Sequence, residues 1–300
     1  MRYTKLGARE ISVVGLGTWQ FGEPGWGWGT ELDLQGASRI VERALELGVN
    51  FFDTAAVYGN GRSEEILSEV LGDVRHRVVI STKVAPPLEP GRVKWSAERS
   101  LRRLALDSIE LYQLHAPDNN VPLDQTMGAL QELMDSGRVR QVGVSNFGPM
   151  QWRRGEAALG GPLISNQVEY HLLERRYGES VLAHARKEGR GVIAYSPLAQ
   201  GLLTGKYGRS NVPQDVRAHY GIFNRRSLRR APAIVEALRD VGGHHDATPA
   251  QVALAWLLKD PEVAVIPGAR SVEQLEANVT AADLTLSPDE LYQLDQVSRS

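Results

Sequence analysis

The fold of this 300-residue chain is constrained most by a repeated alternation of short apolar segments and amphipathic segments. The apolar segments are rich in β-branched and aromatic residues, which is typical of buried strands. The segments between them, such as Leu34–Leu45, carry apolar residues at three- and four-residue spacing, which predicts helices with one buried face. Eight strands are predicted in this way, at Val13–Gly17, Val49–Phe52, Val78–Ser81, Ile109–Leu114, Val139–Val144, Leu163–Val168, Val192–Tyr195 and Val263–Ile266.

Glycine and proline mark the ends of the predicted helices. Gly48, Gly137 and Gly189 each stand just before a strand, where glycine suits the left-handed turn that ends a helix. Pro122 and Pro249 follow polar capping residues, so each is predicted in the first turn of a helix.

Strands that alternate with helices predict an α/β fold with a parallel sheet and right-handed crossovers. Eight such units close naturally into a TIM (β/α)8 barrel, which is favoured over an open doubly wound sheet. The open sheet would need a glycine-rich phosphate loop after the first strand, and the segment Gly15–Gln20 lacks its third glycine. We therefore predict a single barrel domain over residues 1–300, with rim loops and a C-terminal helix.

Two segments extend beyond the repeat. Residues 287–297 are predicted to form the capped C-terminal helix, because Ser287 is followed by proline and two acidic residues. The stretch from Leu198 to about Arg226 is long and rich in glycine, proline and charge. It is predicted to be either a mobile flap or an ordered excursion at the strand ends.

The composition gives no electrostatic basis for binding nucleic acid or an anionic membrane. The chain has 34 basic and 36 acidic residues, for a formal net charge of −2. The absence of cysteine excludes disulfides, thiolate metal sites and a cysteine nucleophile. Charges at Arg2, Lys5, Arg9 and Glu10 interrupt any apolar signal sequence, and the longest uncharged run is too short to span a bilayer. We therefore expect a cytoplasmic protein without a nucleic-acid or membrane partner.

Polar residues follow the predicted strands at regular intervals. Asp53, Lys83, His115 and Ser145 are separated by 30, 32 and 30 residues, which is the length of one strand–helix unit. Because the carboxyl ends of parallel barrel strands share one rim, we expect these residues and Tyr58 to converge there.

An acid–base function follows from these residue types. Tyrosine alone titrates near 10, which suits acid catalysis at neutral pH poorly. A nearby ammonium group stabilises the phenolate and lowers that pKa, so Lys83 is expected to depress the pKa of Tyr58. A carboxylate keeps the lysine charged and oriented, and a histidine donates a hydrogen bond to a substrate oxygen.

These residues and their neighbours resemble the aldo-keto reductase family over essentially the whole chain. The run Ser196–Tyr207 resembles the bacterial and potassium-channel β-subunit branches more than the mammalian aldose-reductase branch. The other matching segments are Asp53–Gly59, Lys83 with the strand before it, Leu114–His115, Gly143–Phe147, Asn166–Tyr170, Tyr195–Leu198 and Ile266–Ser271.

The resemblance implies an NADP-dependent oxidoreductase that reduces aldehydes or ketones to alcohols on a TIM barrel. It assigns Tyr58 as the general acid that protonates the carbonyl oxygen. Lys83 would lower the tyrosine pKa, Asp53 would hold Lys83, and His115 would orient the carbonyl. The implied partner is a small-molecule carbonyl compound, and both a monomer and a homo-oligomer remain open.

The resemblance also implies that NADPH/NADP+ lies extended across the rim. Ser145, Asn146 and Gln167 match positions that bind the nicotinamide carboxamide, and Tyr195 matches the aromatic residue that stacks on the ring. Ser196, Leu198, Gly201 and Lys206 match pyrophosphate contacts, and Gly268, Arg270, Gln274 and Asn278 match the adenosine end. Gly17, Thr18, Trp19, Asp53 and Ala269 complete the implied set. A guanidinium suits a phosphate monoester, so Arg270 favours NADPH over NADH.

The chain departs from the family pattern at the cofactor and substrate ends. Ala277 stands where many relatives carry a glutamate against the adenine, and Gly268 stands where the aldose-reductase branch carries a lysine. The long C-terminal loop that shapes substrate choice in the mammalian branch is missing. Substrate contacts are therefore expected from other rim aromatics, namely Trp19, Trp26, Trp28, Tyr220 and Phe223.

Three other interpretations of the sequence compete with carbonyl reduction. An NADP(H)-binding regulatory barrel with little turnover is the alternative that the channel-subunit resemblance raises. A glycosidase needs two carboxylates at the rim, and only Asp53 and Glu169 qualify. The pair His244-His245 is predicted to lie in a solvated glycine-rich loop rather than in a metal site.

Overall fold

The computed structural model describes residues 1–176, 178–219 and 221–299, with residues 218 and 219 described by their backbone alone. In these residues a two-stranded hairpin precedes a sheet of eight parallel strands. The hairpin strands are β1 (Tyr3–Leu6) and β2 (Arg9–Ser12). The parallel strands are β3 (Leu16–Gly17), β4 (Phe51–Asp53), β5 (Val79–Val84), β6 (Ile109–Leu114), β7 (Val139–Ser145), β8 (Ser165–Glu169), β9 (Gly191–Tyr195) and β10 (Val263–Val265).

The parallel strands follow chain order from β3 to β10, and the two edge strands meet. Val14 pairs with Val265 in a parallel bridge, and the amide of Gly15 donates to the Val265 carbonyl at 2.8 Å. The sheet therefore closes into the predicted TIM barrel, and the doubly wound alternative is wrong. All eight predicted strands are present, with bounds within three residues of those expected.

Helices surround the barrel, and their apolar faces pack against the strands. They are α1 (Leu34–Glu46), α2 (Arg62–Leu71), α3 (Pro90–Leu104), α4 (Leu123–Asp135), α5 (Pro149–Leu159), α6 (Gly178–Glu188), α7 (Arg225–His245), α8 (Pro249–Leu257), α9 (Val272–Thr280) and α10 (Pro288–Arg299).

The predicted helix ends agree with the structure at most positions. Gly48, Gly137 and Gly189 have φ angles of 82°, 73° and 64°, as a left-handed helix exit requires. Pro249 opens α8 behind the Thr248 cap. Pro122, in contrast, lies one residue before α4 and not in its first turn.

Two further predictions are corrected in part. The C-terminal helix begins as predicted behind Ser287 but continues to Arg299. His244 and His245 lie in the last turn of α7 instead of a loop, and both contact Glu290 of α10. Among the described residues, no group of histidine, aspartate and glutamate side chains could hold a metal ion.

The barrel interior is closed at the amino ends of its strands by the N-terminal hairpin, which the sequence analysis did not predict. Leu6 and Ile11 are buried in one cluster with residues of the strands, including Phe51, Val79 and Leu111. At the opposite end the excursion after β9 is ordered into 3-10 turns at Ala199–Thr204, Val216–His219 and Gly221–Phe223. In the part of the chain that is described, no helix is long and apolar enough to span a bilayer.

Candidate active site

The carboxyl ends of the strands surround a cleft of about 640 Å³, a size typical of sites for small ligands. Asp53 is the last residue of β4, Lys83 lies near the end of β5, and His115 follows β6 directly. These strands are neighbours in the sheet, with Asp53 in register with Ser81 of β5. The nearly equal spacing along the sequence therefore does bring these side chains together.

Lys83 is fully buried below the cleft, and its ammonium group has three partners. Its Nζ lies 2.5 Å from Asp53 Oδ1, 2.8 Å from the Thr54 carbonyl oxygen and 3.3 Å from Tyr58 Oη. The second carboxylate oxygen of Asp53 accepts hydrogen bonds from Ser81 Oγ and Gln167 Nε2. Each polar group of this buried set is satisfied, as a charge away from water requires.

The Lys83 ammonium keeps its charge in this environment. Burial would lower the pKa of Lys83, but the neighbouring Asp53 carboxylate and the Tyr58 hydroxyl outweigh that effect and raise it.

The pKa of Tyr58 is shifted in the direction opposite to the one expected. Burial raises it, and although Lys83 lowers it as expected, the net change is upward. The expected net depression of the Tyr58 pKa is therefore wrong, because removing the phenolate from water costs more free energy than the Lys83 ammonium returns. At neutral pH the hydroxyl keeps its proton, which is the form a general acid needs.

His115 is neutral and stands beside Tyr58. Burial and the nearby Lys83 charge lower the pKa of His115 to about 3. Its ring meets the Tyr58 ring edge-on, with centroids 5.7 Å apart. Within the described residues, the buried Nδ1 of His115 has no hydrogen-bond partner. A neutral imidazole has one N–H donor and one acceptor nitrogen, and the His115 side chain lines the cleft.

Trp19 forms the wall of the cleft next to Tyr58. The two rings are parallel, with an interplanar angle of 2° and centroids 5.4 Å apart. Trp26 lies 5.4 Å from Trp19 at a tilt and also lines the cleft. Of the other expected rim aromatics, Trp28 packs on Phe21 and Phe223 is buried beside Tyr207, while Tyr220 lies outside the described residues.

Every residue predicted to bind the nucleotide lines this cleft. The set comprises Gly17, Thr18, Trp19, Asp53, Ser145, Asn146, Gln167, Tyr195, Ser196, Leu198, Gly201, Lys206, Gly268, Ala269, Arg270, Gln274 and Asn278. The geometry thus brings the predicted set together, and their contacts with a nucleotide stay a prediction.

Near Tyr58 the polar groups of this set are linked to one another. Asn146 donates to the His115 carbonyl and to Ser145 Oγ, and it accepts a hydrogen bond from Tyr195 Oη at 3.0 Å. The Gln167 side-chain amide donates one of its two N–H groups to Asp53 Oδ2 at 2.8 Å. These bonds fix the side chains relative to one another.

Arg270, which also lines the cleft, is paired with Glu31 in the loop between β3 and α1. Its backbone amide also donates to Gln274 Oε1 at 3.0 Å. A Cβ at Gly268 would lie 2.9 Å from Gln20 Oε1, which gives a packing reason for glycine at this departure from the family pattern.

The cleft also contains residues that the sequence analysis missed. Arg217 is almost fully buried, pairs with Asp215, and lies over the rings of Tyr207 and Trp26. The buried Gln200 Oε1, also in the cleft, has no hydrogen-bond partner among the described residues. Both residues lie in the long loop after β9. The sequence of this loop contains charged and aromatic residues but no periodic pattern from which the positions of their side chains could be predicted.

The donors and surfaces of the cleft fit an extended nicotinamide nucleotide. The cleft is lined by His115 and Gln200, which each carry a buried polar atom without a hydrogen-bond partner among the described residues, by the aromatic residue Tyr195 and by the cationic residue Arg270. A glycosidase arrangement does not fit, because Asp53 is occupied by Lys83 and Glu169 contacts His171.

Comparison with known proteins gives consistent results. Residues 13–299 match the profile of the Aldo/keto reductase family. The chain is 47% identical to an uncharacterised oxidoreductase of Mycobacterium tuberculosis over 302 residues, which is 100% of this chain and 94% of the relative. It is 32% identical to a probable voltage-gated potassium channel subunit beta of Arabidopsis thaliana, over 100% of this chain and 97% of that protein. Both branches named by the resemblance are thus among the relatives.

A solved structure agrees with the fold. The crystal structure of a thermostable aldo-keto reductase in complex with the inhibitor epalrestat superposes with a TM-score of 0.82 at 31% identity. The match covers 99% of this chain and 100% of that chain.

Proposed function

This chain belongs to the aldo/keto reductase family, and on that premise we propose that it uses NADPH to reduce aldehydes or ketones to alcohols. The partners are NADPH and a small-molecule carbonyl compound, and the cytoplasm is the proposed location. The observation that carries the proposal is the placement of Lys83 Nζ within hydrogen-bond distance of both Asp53 and Tyr58 at the base of the cleft.

NADPH, when bound, supplies the hydride that adds to the carbonyl carbon. Negative charge then develops on the carbonyl oxygen, and Tyr58 Oη donates its proton to that oxygen. The phenolate that remains is stabilised by the Lys83 ammonium 3.3 Å away, and it regains a proton from solvent afterwards. Asp53 holds the ammonium in place.

His115 has a separate role in this proposal. Because its ring is neutral at physiological pH, it donates one N–H to the carbonyl oxygen and orients it. Donors placed where charge develops stabilise the transition state more than the ground state.

The nucleotide would be held by residues along the cleft. Asn146 and Ser145 offer polar groups to the nicotinamide end, Tyr195 offers its ring, and Arg270 offers a guanidinium to the 2′-phosphate. The Arg270–Glu31 ion pair would open when that phosphate binds.

The replacement Tyr58→Phe tests the proposal. It removes the proton donor and keeps the ring that stacks on Trp19, so we expect turnover to fall by about a hundredfold or more while NADPH binding is retained. Turnover is followed by the loss of reduced-nicotinamide absorbance with a panel of aldehydes and ketones. Tyr292→Phe, on the exposed face of α10, is the matched control.

Two results would contradict the proposal. One is a Tyr58→Phe variant that turns over like the wild type. The other is a wild-type protein that binds NADPH tightly but shows negligible turnover across the panel, which would point to the regulatory alternative.

A further inference from the structure

The loop that carries Tyr58 has a backbone that depends on support from outside the cleft. Gly59, Asn60 and Gly61 follow Tyr58 with φ angles of 53°, 56° and 95°, all in the left-handed region. Glycine and asparagine tolerate this region best, but three such residues in succession are unusual in a chain of L-amino acids. A backbone of this kind keeps a single conformation only where its surroundings hold it.

The guanidinium group of Arg103 provides such support. Arg103 lies in α3, and its Nη1 donates to the Ala56 carbonyl while its Nη2 donates to the Asn60 carbonyl, both at 3.4 Å. These two carbonyls flank Tyr58 in the sequence. The same group packs closely against Gly61, where a Cβ would lie only 2.1 Å from the guanidinium carbon. One side chain thus contacts the loop on both sides of Tyr58.

Arg103 is itself fixed by Glu64 of α2. Its Nη1 lies 3.1 Å from Glu64 Oε2, and the Glu64 side chain is fully buried. The other carboxylate oxygen of Glu64 accepts a hydrogen bond from Thr82 Oγ1 at 2.7 Å. Thr82 is the residue of β5 directly before Lys83. The chain of contacts therefore runs from the strand that carries the ammonium to the loop that carries the phenol.

We propose that Arg103 and Glu64 are positioning residues that set the distance between the Tyr58 hydroxyl and Lys83. They lie on the helix side of β5, do not line the cleft, and would act only through the loop backbone. This assignment rests on the proposed role of Tyr58 as the general acid. Misplacing a reacting group by about 1 Å can cost about a hundredfold in rate, so a support of this kind matters for turnover.

The replacement Arg103→Lys tests the assignment without leaving Glu64 unpaired. A lysine keeps the charge but, with a single ammonium group, cannot bind both loop carbonyls in the same way. We expect kcat to fall about tenfold, with the dissociation constant of NADPH and the KM of the aldehyde changed by less than about twofold. Arg103→Ala is expected to lower kcat further. Arg102→Lys, at the exposed neighbouring position of the same helix, is the matched control.

Hydrogen exchange of the nucleotide-free protein gives a readout that needs no enzymatic activity. Peptides covering residues 56–61 should exchange faster in Arg103→Lys than in the wild type and in Arg102→Lys, while peptides from the N-terminal hairpin should not change. Unchanged exchange in this loop, unchanged kcat, or a kcat loss matched by an equal loss of NADPH affinity would each overturn the assignment. A wild type without turnover would instead overturn the proposed function, and the exchange result would still test the loop.

Discussion

Lys83 carries a charge at a position from which solvent is excluded. Its side chain is fully buried, and each hydrogen on its ammonium group has an acceptor in Asp53, Thr54 or Tyr58. Removing one partner of such a pair leaves an uncompensated buried charge, which costs about 3–5 kcal/mol. The same contacts that place Lys83 beside Tyr58 therefore also contribute to the stability of the barrel.

Cofactor preference is expected to depend on Arg270. Its guanidinium is paired with the Glu31 carboxylate, so it is already oriented toward an anion. Charge-assisted hydrogen bonds contribute about 1.5–3 kcal/mol, or roughly 10- to 100-fold in affinity. We expect Arg270→Ala to raise the dissociation constant of NADPH by about that factor and to change that of NADH much less.

Fluorescence titration with the two nucleotides measures this difference. Arg92→Ala removes an exposed guanidinium from α3 and serves as the control, with both dissociation constants unchanged. Equal weakening of NADPH and NADH in Arg270→Ala would mean that Arg270 does not bind the 2′-phosphate.

The sequence was sufficient to predict which residues lie together at the site. It was not sufficient to predict the pKa values of these residues. The regular spacing of Asp53, Lys83 and His115 placed them on adjacent strands, because strand–helix units have a nearly constant length. The pKa of Tyr58 depends on how much water the folded cleft excludes, and no sequence pattern reports that quantity. The prediction of a lower Tyr58 pKa therefore included the effect of the Lys83 charge but not the effect of burial.

At the scale of whole elements, regular periodicity decided which ones were predictable. The eight barrel strands and the helices between them repeat an apolar pattern over long stretches, and they were found. The hairpin strands Tyr3–Leu6 and Arg9–Ser12 are four residues each and mostly polar, with Leu6 and Ile11 as the inward-facing apolar residues. The loop that contains Arg217 has no periodic apolar pattern. The position of the Arg217 side chain in the cleft could therefore be seen only in the folded structure.

Helices α7 and α10 are in contact through Glu290, and the free energy that this contact contributes to folding is expected to depend on pH. Burial alone would raise the pKa of Glu290, but hydrogen bonds from the Ser287 backbone, His245 and His244 together hold it at about 2. A carboxyl group whose pKa is lower in the folded state than its usual 4.5 stabilises the fold above that value. The stabilisation is lost as the pH falls from about 4.5 to about 2.

Glu290→Gln is therefore expected to lower the free energy of unfolding at neutral pH. In acid, the free energies of unfolding of the variant and the wild type should differ less. Urea denaturation at about pH 7 and about pH 3 measures both differences. Asp289→Asn, at the exposed neighbouring position, should show a smaller dependence on pH. A Glu290→Gln defect that stays constant across this pH range would exclude a contribution from the carboxylate charge.

At the scale of the whole molecule, we expect residues at the amino end of the barrel to contribute mainly to stability. Residues at the carboxyl end are expected to contribute mainly to the chemistry. The carboxyl ends of the strands form the cleft, while the hairpin covers the amino ends. Ser12 binds Asn50 just before β4, and Thr4 binds the Pro261 carbonyl before β10. Packing there is tight, since a Cβ at Gly191 would lie 2.3 Å from Leu6 Cδ1.

Ile11 tests this separation, because its side chain is fully buried inside the barrel on the side away from Tyr58. Ile11→Ala should lower the free energy of unfolding by about 2–5 kcal/mol, as removal of a buried branched side chain does. Its kcat should remain within about twofold of the wild type at a temperature where the variant is folded. Lys5→Ala, exposed in the same hairpin, should change stability by less than about 0.5 kcal/mol. A fully folded Ile11→Ala with strongly reduced kcat would show that the hairpin influences the rim, and the separation would then not hold.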